Sequence, residues 1–193
     1  MARTKDFDES EVLEKAIKLF WQKGYNGTSM QDLVDGLGIS RSSIYDTFGD
    51  KHQLYLKALC TYRQKQLIIR DQILHASVPA KAALRQLMDL TIDSMIRDKQ
   101  HKGCFLVNSA VENASHDKET NAIVCENDRE IENAFYEVIK RGQTNGEIAS
   151  KQEPRALARF VFNNIVGIQV TAKSATDKAA FYDIVNLTMS VLD

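Results

Sequence analysis

The stretch Thr28-Ser29-Met30-Gln31-Asp32-Leu33-Val34-Asp35-Gly36-Leu37-Gly38-Ile39-Ser40-Arg41-Ser42-Ser43-Ile44-Tyr45-Asp46-Thr47-Phe48 decides the fold. Its apolar residues fall into two short helical sets, Met30, Leu33 and Val34 before the glycines and Ile44 and Phe48 after them. Thr28 or Ser29 can cap the first helix, because a hydroxyl ahead of a helical run accepts from an orphan backbone N–H. Gly36 to Ile39 then make a tight turn, with Gly38 as the site of positive φ. Ser40 caps the second helix. Two short helices joined by a glycine-containing turn make a helix-turn-helix, whose second helix can enter a DNA major groove. The outward residues of that helix are Arg41, Ser42, Ser43, Tyr45, Asp46 and Thr47, all able to meet base edges or phosphates. Asp50 caps the next helix and sets Lys51 and His52 in its first turn, facing the adjacent backbone.

Outside this corner the apolar spacing stays helical. Val12, Leu13, Ala16, Ile17 and Phe20 form one stripe, preceded by Asp8 with Glu11 three residues on, the arrangement of a capping box. Leu84, Leu87, Met88, Thr91, Ile92 and Met95 form a second stripe, and Ile131, Ala134, Phe135, Val138 and Ile139 a third. Leu157, Phe160, Val161, Ile165 and Ile168 make a fourth; Phe181, Ile184, Val185, Thr188 and Leu192 close the chain. Pro79 and Pro154 each stand just ahead of a helical pattern, where a missing N–H costs least. Gly167 alone sits inside a periodic segment, so close backbone approach is expected to offset its cost of about 1 kcal/mol against alanine. No alternating run bounded by a hairpin turn and no internal repeat is present. The chain therefore reads as all-α with about nine helices. Residues 1–50 form a three-helix helix-turn-helix domain, residues 51–193 a helical remainder, and a helix over about 50–71 bridges them.

The run from Ala16 to Leu59 carries Phe20, Gly24, Tyr25, Thr28-Ser29-Met30, Leu37-Gly38-Ile39-Ser40, Ile44-Tyr45, Phe48 and Lys51 at dense, specific spacing. It closely resembles the N-terminal domain of the tetracycline-repressor (TetR) family over about residues 8–60. The resemblance implies a homodimeric transcriptional regulator whose two recognition helices face adjacent major grooves. It implies double-stranded operator DNA and a small-molecule inducer as partners, with repression relieved by ligand; an activator of the same fold is the alternative. The DNA-facing set is then Thr28, Ser29, Ser40, Arg41, Ser42, Ser43, Tyr45, Thr47, Lys51 and His52. The chain departs from the family at Asp46-Thr47, where many members carry histidine or a basic residue, which changes the expected operator but not the domain.

Charge sets a limit on that reading. The formal net charge is −1, and residues 1–60 hold eight Lys/Arg against nine Asp/Glu. Placement matters more than the sum. Arg3 and Lys5 belong to an expected N-terminal arm, Arg41 and Lys51 flank the recognition helix, and most acidic residues lie in the first two helices. A modest number of phosphate contacts per subunit, doubled by dimerisation, gives a salt-sensitive binder. Three cysteines, Cys60, Cys104 and Cys125, without a CxxC pair fit a reducing cytoplasm. No apolar run reaches the roughly 20 residues of a membrane span, and Met1 to Asp6 lacks the apolar stretch of a signal peptide. No nucleophile elbow, phosphate loop or HExxH occurs, so neither an enzyme nor a cofactor is implied; a thiol-dependent helical enzyme or carrier is the rival of another class. His101, Cys104, His116 and Cys125 are too irregularly spaced for a metal site.

Beyond residue 60 the most distinctive segment is His101-Lys102-Gly103-Cys104-Phe105-Leu106-Val107-Asn108-Ser109-Ala110-Val111-Glu112. Gly103 ends a connection and lets a helix begin with Cys104 in its first turn. The helix dipole, His101 and Lys102 would favour a thiolate there. The stretch looks like one in a TetR subgroup that includes electrophile- and oxidant-sensing repressors, with a cysteine at the matching place. The other reading of Cys104 is a small buried hydrophobe, and Cys60 and Cys125 read as structural. Candidate pocket residues are Cys104, Phe105, Asn108, Met88, Met95, Phe135, Tyr136, Asn163 and Asn164, apolar positions with a few polar ones turned inward.

Overall fold

Most helices begin where a short polar side chain meets the first free amides. Asp8, Ser29, Ser40 and Asp50 accept backbone N–H groups ahead of α1 (Glu9–Lys23), α2 (Met30–Leu37), α3 (Arg41–Phe48) and α4 (Lys51–Leu74). α5 (Ala80–Arg97) starts behind Pro79 and α6 (Phe105–Glu112) behind Cys104, neither with a side-chain cap. Asp117, Glu153 and Asp177 cap α7 (Lys118–Thr144), α8 (Pro154–Thr171) and α9 (Lys178–Ser190). This computed structural model describes residues 7–175 and 177–193, and the described residues form these nine helices and no strand. The all-α expectation therefore holds. Arg3 and Lys5, assigned to an arm, lie outside the described residues. Among the described residues no helix is long and apolar enough to cross a membrane.

Several local expectations need correcting. Asp8 caps α1 through Ser10 N, while Glu11 pairs with Lys15 at 3.0 Å, so no capping box forms there. The box forms at α2, where Ser29 and Asp32 serve each other's backbone amides. Thr28 is not the cap: its hydroxyl, fully buried, donates to the Gly24 carbonyl at 2.6 Å. Gly38 does take the left-handed conformation that ends α2, at φ 72°. Cys104 precedes α6 as its N-cap instead of lying in its first turn. Cys125, read from sequence as structural, is exposed within the 27-residue α7. The polar run holds because Asp117 caps it and its inward face still offers Thr120 and Val124.

Two hydrophobic cores result. The first takes the inward faces of α1, α2 and α3, then α4 as far as Tyr62, and closes with Cys104, Phe105 and Leu106 from α6 and its cap. Phe20, Tyr55 and Phe105 are almost wholly buried in it, with edge-on ring pairs at 5.3 and 5.9 Å. Each such side chain contributes roughly 1.5–3 kcal/mol by burial. The second core packs Leu74 at the end of α4 with α5, the later half of α7, α8 and α9. α4 thus runs from one core into the other. Pro154 is the first residue of α8, as its position suggested. Gly167 has no close neighbour: a Cβ there would meet nothing within 4 Å of the same chain. The close approach expected at Gly167 is not supplied by this chain.

Candidate functional site

The outer face of α3 is built from residues its own core does not need. Ile44 and Phe48 point inward and are buried. Arg41, Ser42, Tyr45 and Asp46 are exposed, and Ser43 and Thr47 are half-buried. Tyr45 leaves 45% of its surface free, unusual for a large ring in a helix this short. Ser40 is occupied as the cap, accepting from Ser43 N at 3.1 Å and bonding the hydroxyls of Ser42 and Ser43 at 2.9 Å. Ser29 is exposed but committed to Asp32. Thr28 has no free face at all, because its side chain turns into the α1–α2 connection.

Lys51 and His52 stand beside α3 but are partly held. Lys51 Nζ lies 4.4 Å from the Tyr25 ring centroid, and desolvation lowers its pKa against the opposing pull of Glu112 and Asp32. His52 sits between two carboxylates, Nδ1 3.5 Å from Asp117 and Nε2 3.1 Å from Glu119. These three side chains have the spacing of metal ligands. The ring, however, turns a different nitrogen to each acid, which is the geometry of an ion-pair bridge. Among the described residues, His101, Cys104, His116 and Cys125 are not brought together.

A second link joins α6 to the connection between α1 and α2. The Glu112 carboxylate accepts from Tyr25 N at 3.1 Å and Asn26 N at 2.7 Å. Asn26 Nδ2 donates to Asn113 Oδ1 at 3.3 Å. Gly24, at φ 76°, leaves the room this clamp needs, since a Cβ there would stand 2.6 Å from Glu112 Oε2. At the other end of α6, the Trp21 indole donates to the Gly103 carbonyl at 3.1 Å.

α6 also forms a wall of a cavity of about 600 Å³ between α4, α5, α7 and α8. Leu67, Leu87, Leu106, Val107, Ile131 and Ile165 are among its many apolar walls, and Trp21, Tyr62, Phe135 and Phe162 supply rings. Size and lining suit a small organic molecule. Of the residues expected to line a pocket, Met95, Cys104 and Phe135 do so. Met88 is buried in the second core and Phe105 in the first. Asn108 is spent on the Lys102 carbonyl and Lys173 Nζ. Tyr136 lies under the Arg155 guanidinium at 4.0 Å. Asn163 is exposed, and Asn164 Nδ2 turns back to the Phe160 carbonyl. Those six do not face the cavity, because helix phase carries them past it. Arg70 and Asp128, which do line it, were missed. Their signal was present: Asp128 interrupts the apolar stripe Val124, Ile131, Phe135, and Arg70 the stripe Leu67, Leu74.

Cys104 does not have the environment expected of it. Its thiol is buried, the Tyr62 hydroxyl donates to Sγ at 3.9 Å, and burial pushes its pKa up. The neighbours credited with activating it are engaged elsewhere or turned away. Lys102 Nζ bonds Asp98 at 2.7 Å, and His101 is exposed at φ 51°. Cys60 is likewise raised by burial.

Comparison with known proteins bears on both halves. The family described as bacterial regulatory proteins, tetR family, matches residues 12–58, and the tetracyclin repressor-like C-terminal domain matches residues 80–187. The chain is 34% identical to the uncharacterized HTH-type transcriptional regulator YezE of Bacillus subtilis (strain 168), over 100% of both chains. It is 24% identical to the HTH-type transcriptional repressor ComR of Escherichia coli (strain K12), over 97% of this chain and 90% of that one. Among solved structures, a cysteine mutant of the TetR family regulator CifR complexed with 26 bp double-strand operator DNA superposes with a TM-score of 0.89. That similarity is at 24% identity and covers 100% of both chains, so it speaks for the fold. With the helix-turn-helix in place and both family regions matched across most of its length, the chain belongs to the TetR family of bacterial regulatory proteins.

Proposed function

We propose that the protein is a dimeric repressor that holds operator DNA through the outer face of α3 and lets go when a small molecule fills the central cavity. The observation that carries this reading is the double use of α6. Its N-terminal residues complete the core beneath the helix-turn-helix, its middle walls the cavity, and its last residue clamps the α1–α2 connection through Glu112. A molecule that displaces α6 acts on the seat of α3, and packed helices answer by shifting as bodies. Residues 1–50 hold the DNA-reading helices, whose core is completed by α4 as far as Tyr62 and by Cys104, Phe105 and Leu106, and residues 51–193 serve sensing and dimerisation. Arg41, Ser42, Ser43, Tyr45 and Thr47 face DNA directly, and Lys51 reaches the flanking phosphates. Sensing is by reversible binding, since a buried thiol of raised pKa is a poor nucleophile.

The dimer forms through α8 and α9. Phe160 and Val170 on α8, Leu187 on α9 and Val191 just after it are exposed apolar residues, and Gly167 lies open on the same face of α8 as Phe160. Such a face is normally covered in a soluble protein. The test is selection of genomic fragments by the purified protein, followed by anisotropy on the best fragment across a salt series. Enrichment of a two-fold symmetric sequence, with affinity falling as salt rises, is the expected result. Failure to enrich any fragment would overturn the reading.

A further inference from the structure

The charged side chains around the cavity balance in number but not in pairing, and the unpaired one specifies a ligand. Arg70 lines the cavity with its guanidinium already matched: Nε and Nη2 donate to Asp71 Oδ1 at 3.0 and 2.8 Å. Asp93 at the rim faces Arg97 at 3.5 Å and Lys178 at 3.8 Å. Among the described residues Asp128 faces no cation, and its one hydrogen bond is from the neutral Asn127 amide, at 3.1 Å. A carboxylate in an apolar cavity is stable only when something supplies charge or donors.

We infer that the cavity binds an apolar molecule bearing a cationic nitrogen, with Asp128 as its counter-ion. This rests on the cavity being the effector site and adds the chemistry of what enters it. The rings of Trp21, Tyr62, Phe135 and Phe162 line the same space, and an aromatic face met by a ligand favours a cation and disfavours an anion. Burial alone raises the Asp128 pKa, so the empty protein keeps this carboxylate at a disadvantage that a cation removes. Arg70 does not reverse the preference. Its Nη1 is buried without a partner, but its charge is met by Asp71, and a neutral acceptor on the ligand suffices there. An anionic ligand would bring like charge against Asp128 in a poorly screened space.

Trp21 is the sole tryptophan and lines the cavity, so its emission reads occupancy without any DNA present. The probes are a matched set: hexylbenzylamine, hexylbenzyl alcohol and hexylbenzoate, titrated into the full-length protein at neutral pH. The wild type should bind the amine at least about tenfold more tightly than the alcohol, and the benzoate most weakly. In Asp128→Asn, checked for native circular dichroism, amine and alcohol should bind within about threefold of each other. Tighter binding of the benzoate, equal binding of amine and alcohol to the wild type, no binding of any probe, or an unchanged amine preference in Asp128→Asn would each overturn the inference. Operator affinity is measured separately on the same preparations. A protein that prefers the amine yet holds no DNA supports the counter-ion and sinks the regulatory reading; one that holds its operator without an amine preference does the reverse.

Discussion

Tyr45, Lys51 and Arg41 stand on or beside one helix, yet their replacement should leave three different marks. Tyr45→Ala removes an exposed ring that the fold does not use, so stability should stay within about 0.5 kcal/mol while operator affinity falls. Lys51→Ala removes a cation, and the slope of log affinity against log salt should shrink by about one per subunit. Arg41→Ala should relax base preference at one position if its guanidinium meets a guanine. Anisotropy on matched and mismatched operators separates the three, and unchanged binding in all of them would reject the docking face. Thr28 shows where residue-level reading fails. A threonine before a helix reads as a cap, but Ser29, one residue later, had the reach to Asp32, and Thr28 turned inward. Asp128 carries a prediction of its own. Its folded pKa is raised, so the folded chain holds that proton more tightly than the unfolded chain does. The group therefore favours folding at low pH and loses that effect as pH rises through the folded value. Asp128→Asn should raise Tm at neutral pH by roughly 1–3 °C, trimmed because the group is only half-buried, with the gain fading toward about pH 4. A thermal melt at several pH values checks this, and a lowered Tm at pH 7 would contradict it.

The elements were legible to differing depths. The first stripe, Val12 to Phe20, is buried as its spacing required, because a surface helix has only one face to hide. The bridging helix was placed over 50–71 and ends at Leu74, within a turn, since Asp50 fixes its start by accepting from Gln53 N. α7 was legible only in its later half. Its first turns carry few apolar residues, and Arg63 of α4 pairs with Glu126 and Glu130 there, a cross-helix contact that periodicity does not encode. The pocket was least legible of all, because which face of α7 or α8 meets a cavity depends on packing angles. At this scale the Glu112 clamp makes a definite claim. Glu112→Gln keeps the size but removes the charge and one of the two acceptor oxygens, so only one of the hydrogen bonds from Tyr25 N and Asn26 N can survive. Operator affinity without ligand should fall less than about threefold, whereas the ligand's effect on operator affinity should shrink by about fivefold or more, the scale of a typical coupling energy. Equal response to ligand in the variant and the wild type, measured by anisotropy, would remove Glu112 from the path.

At the scale of the molecule, association decides function, because one α3 reads only half of a symmetric site. Phe160 and Leu187 are exposed at 45% and 70%, so charge at either position is tolerated by the folded subunit. The double variant Phe160→Glu, Leu187→Glu should sediment as a folded monomer at micromolar concentration. It should bind operator at least about a hundredfold more weakly, as expected when two linked contacts become independent. A variant that stays dimeric would move the interface off α8 and α9. The two apolar stripes of these helices and their residual apolar surface were visible from sequence and pointed to a dimer through helices at about 154–174 and 177–192, but Phe160, counted there in the inward stripe, proves exposed. Gly167 has open space around it in its own chain, which leaves room for the contact between copies that the family resemblance implies there.

The sharing of α6 between the two cores has a consequence for how such proteins can be recombined. A DNA-reading head cut after Tyr62 would leave behind Cys104, Phe105 and Leu106, which close its interior, and Glu112, which fastens its first connection. The head is thus discontinuous in the chain, completed by a segment some forty residues further along. Exchange of heads between relatives must carry residues 103–113 along with 1–62, or expose Phe20, Tyr55 and Tyr62 to water. A crossover placed in α4 alone gives a chimera with an unsealed core, whereas transplanting both segments preserves the seal, and comparing the solubility of the two chimeras tells them apart. Heredity at this joint is by patches of surface, not by lengths of sequence.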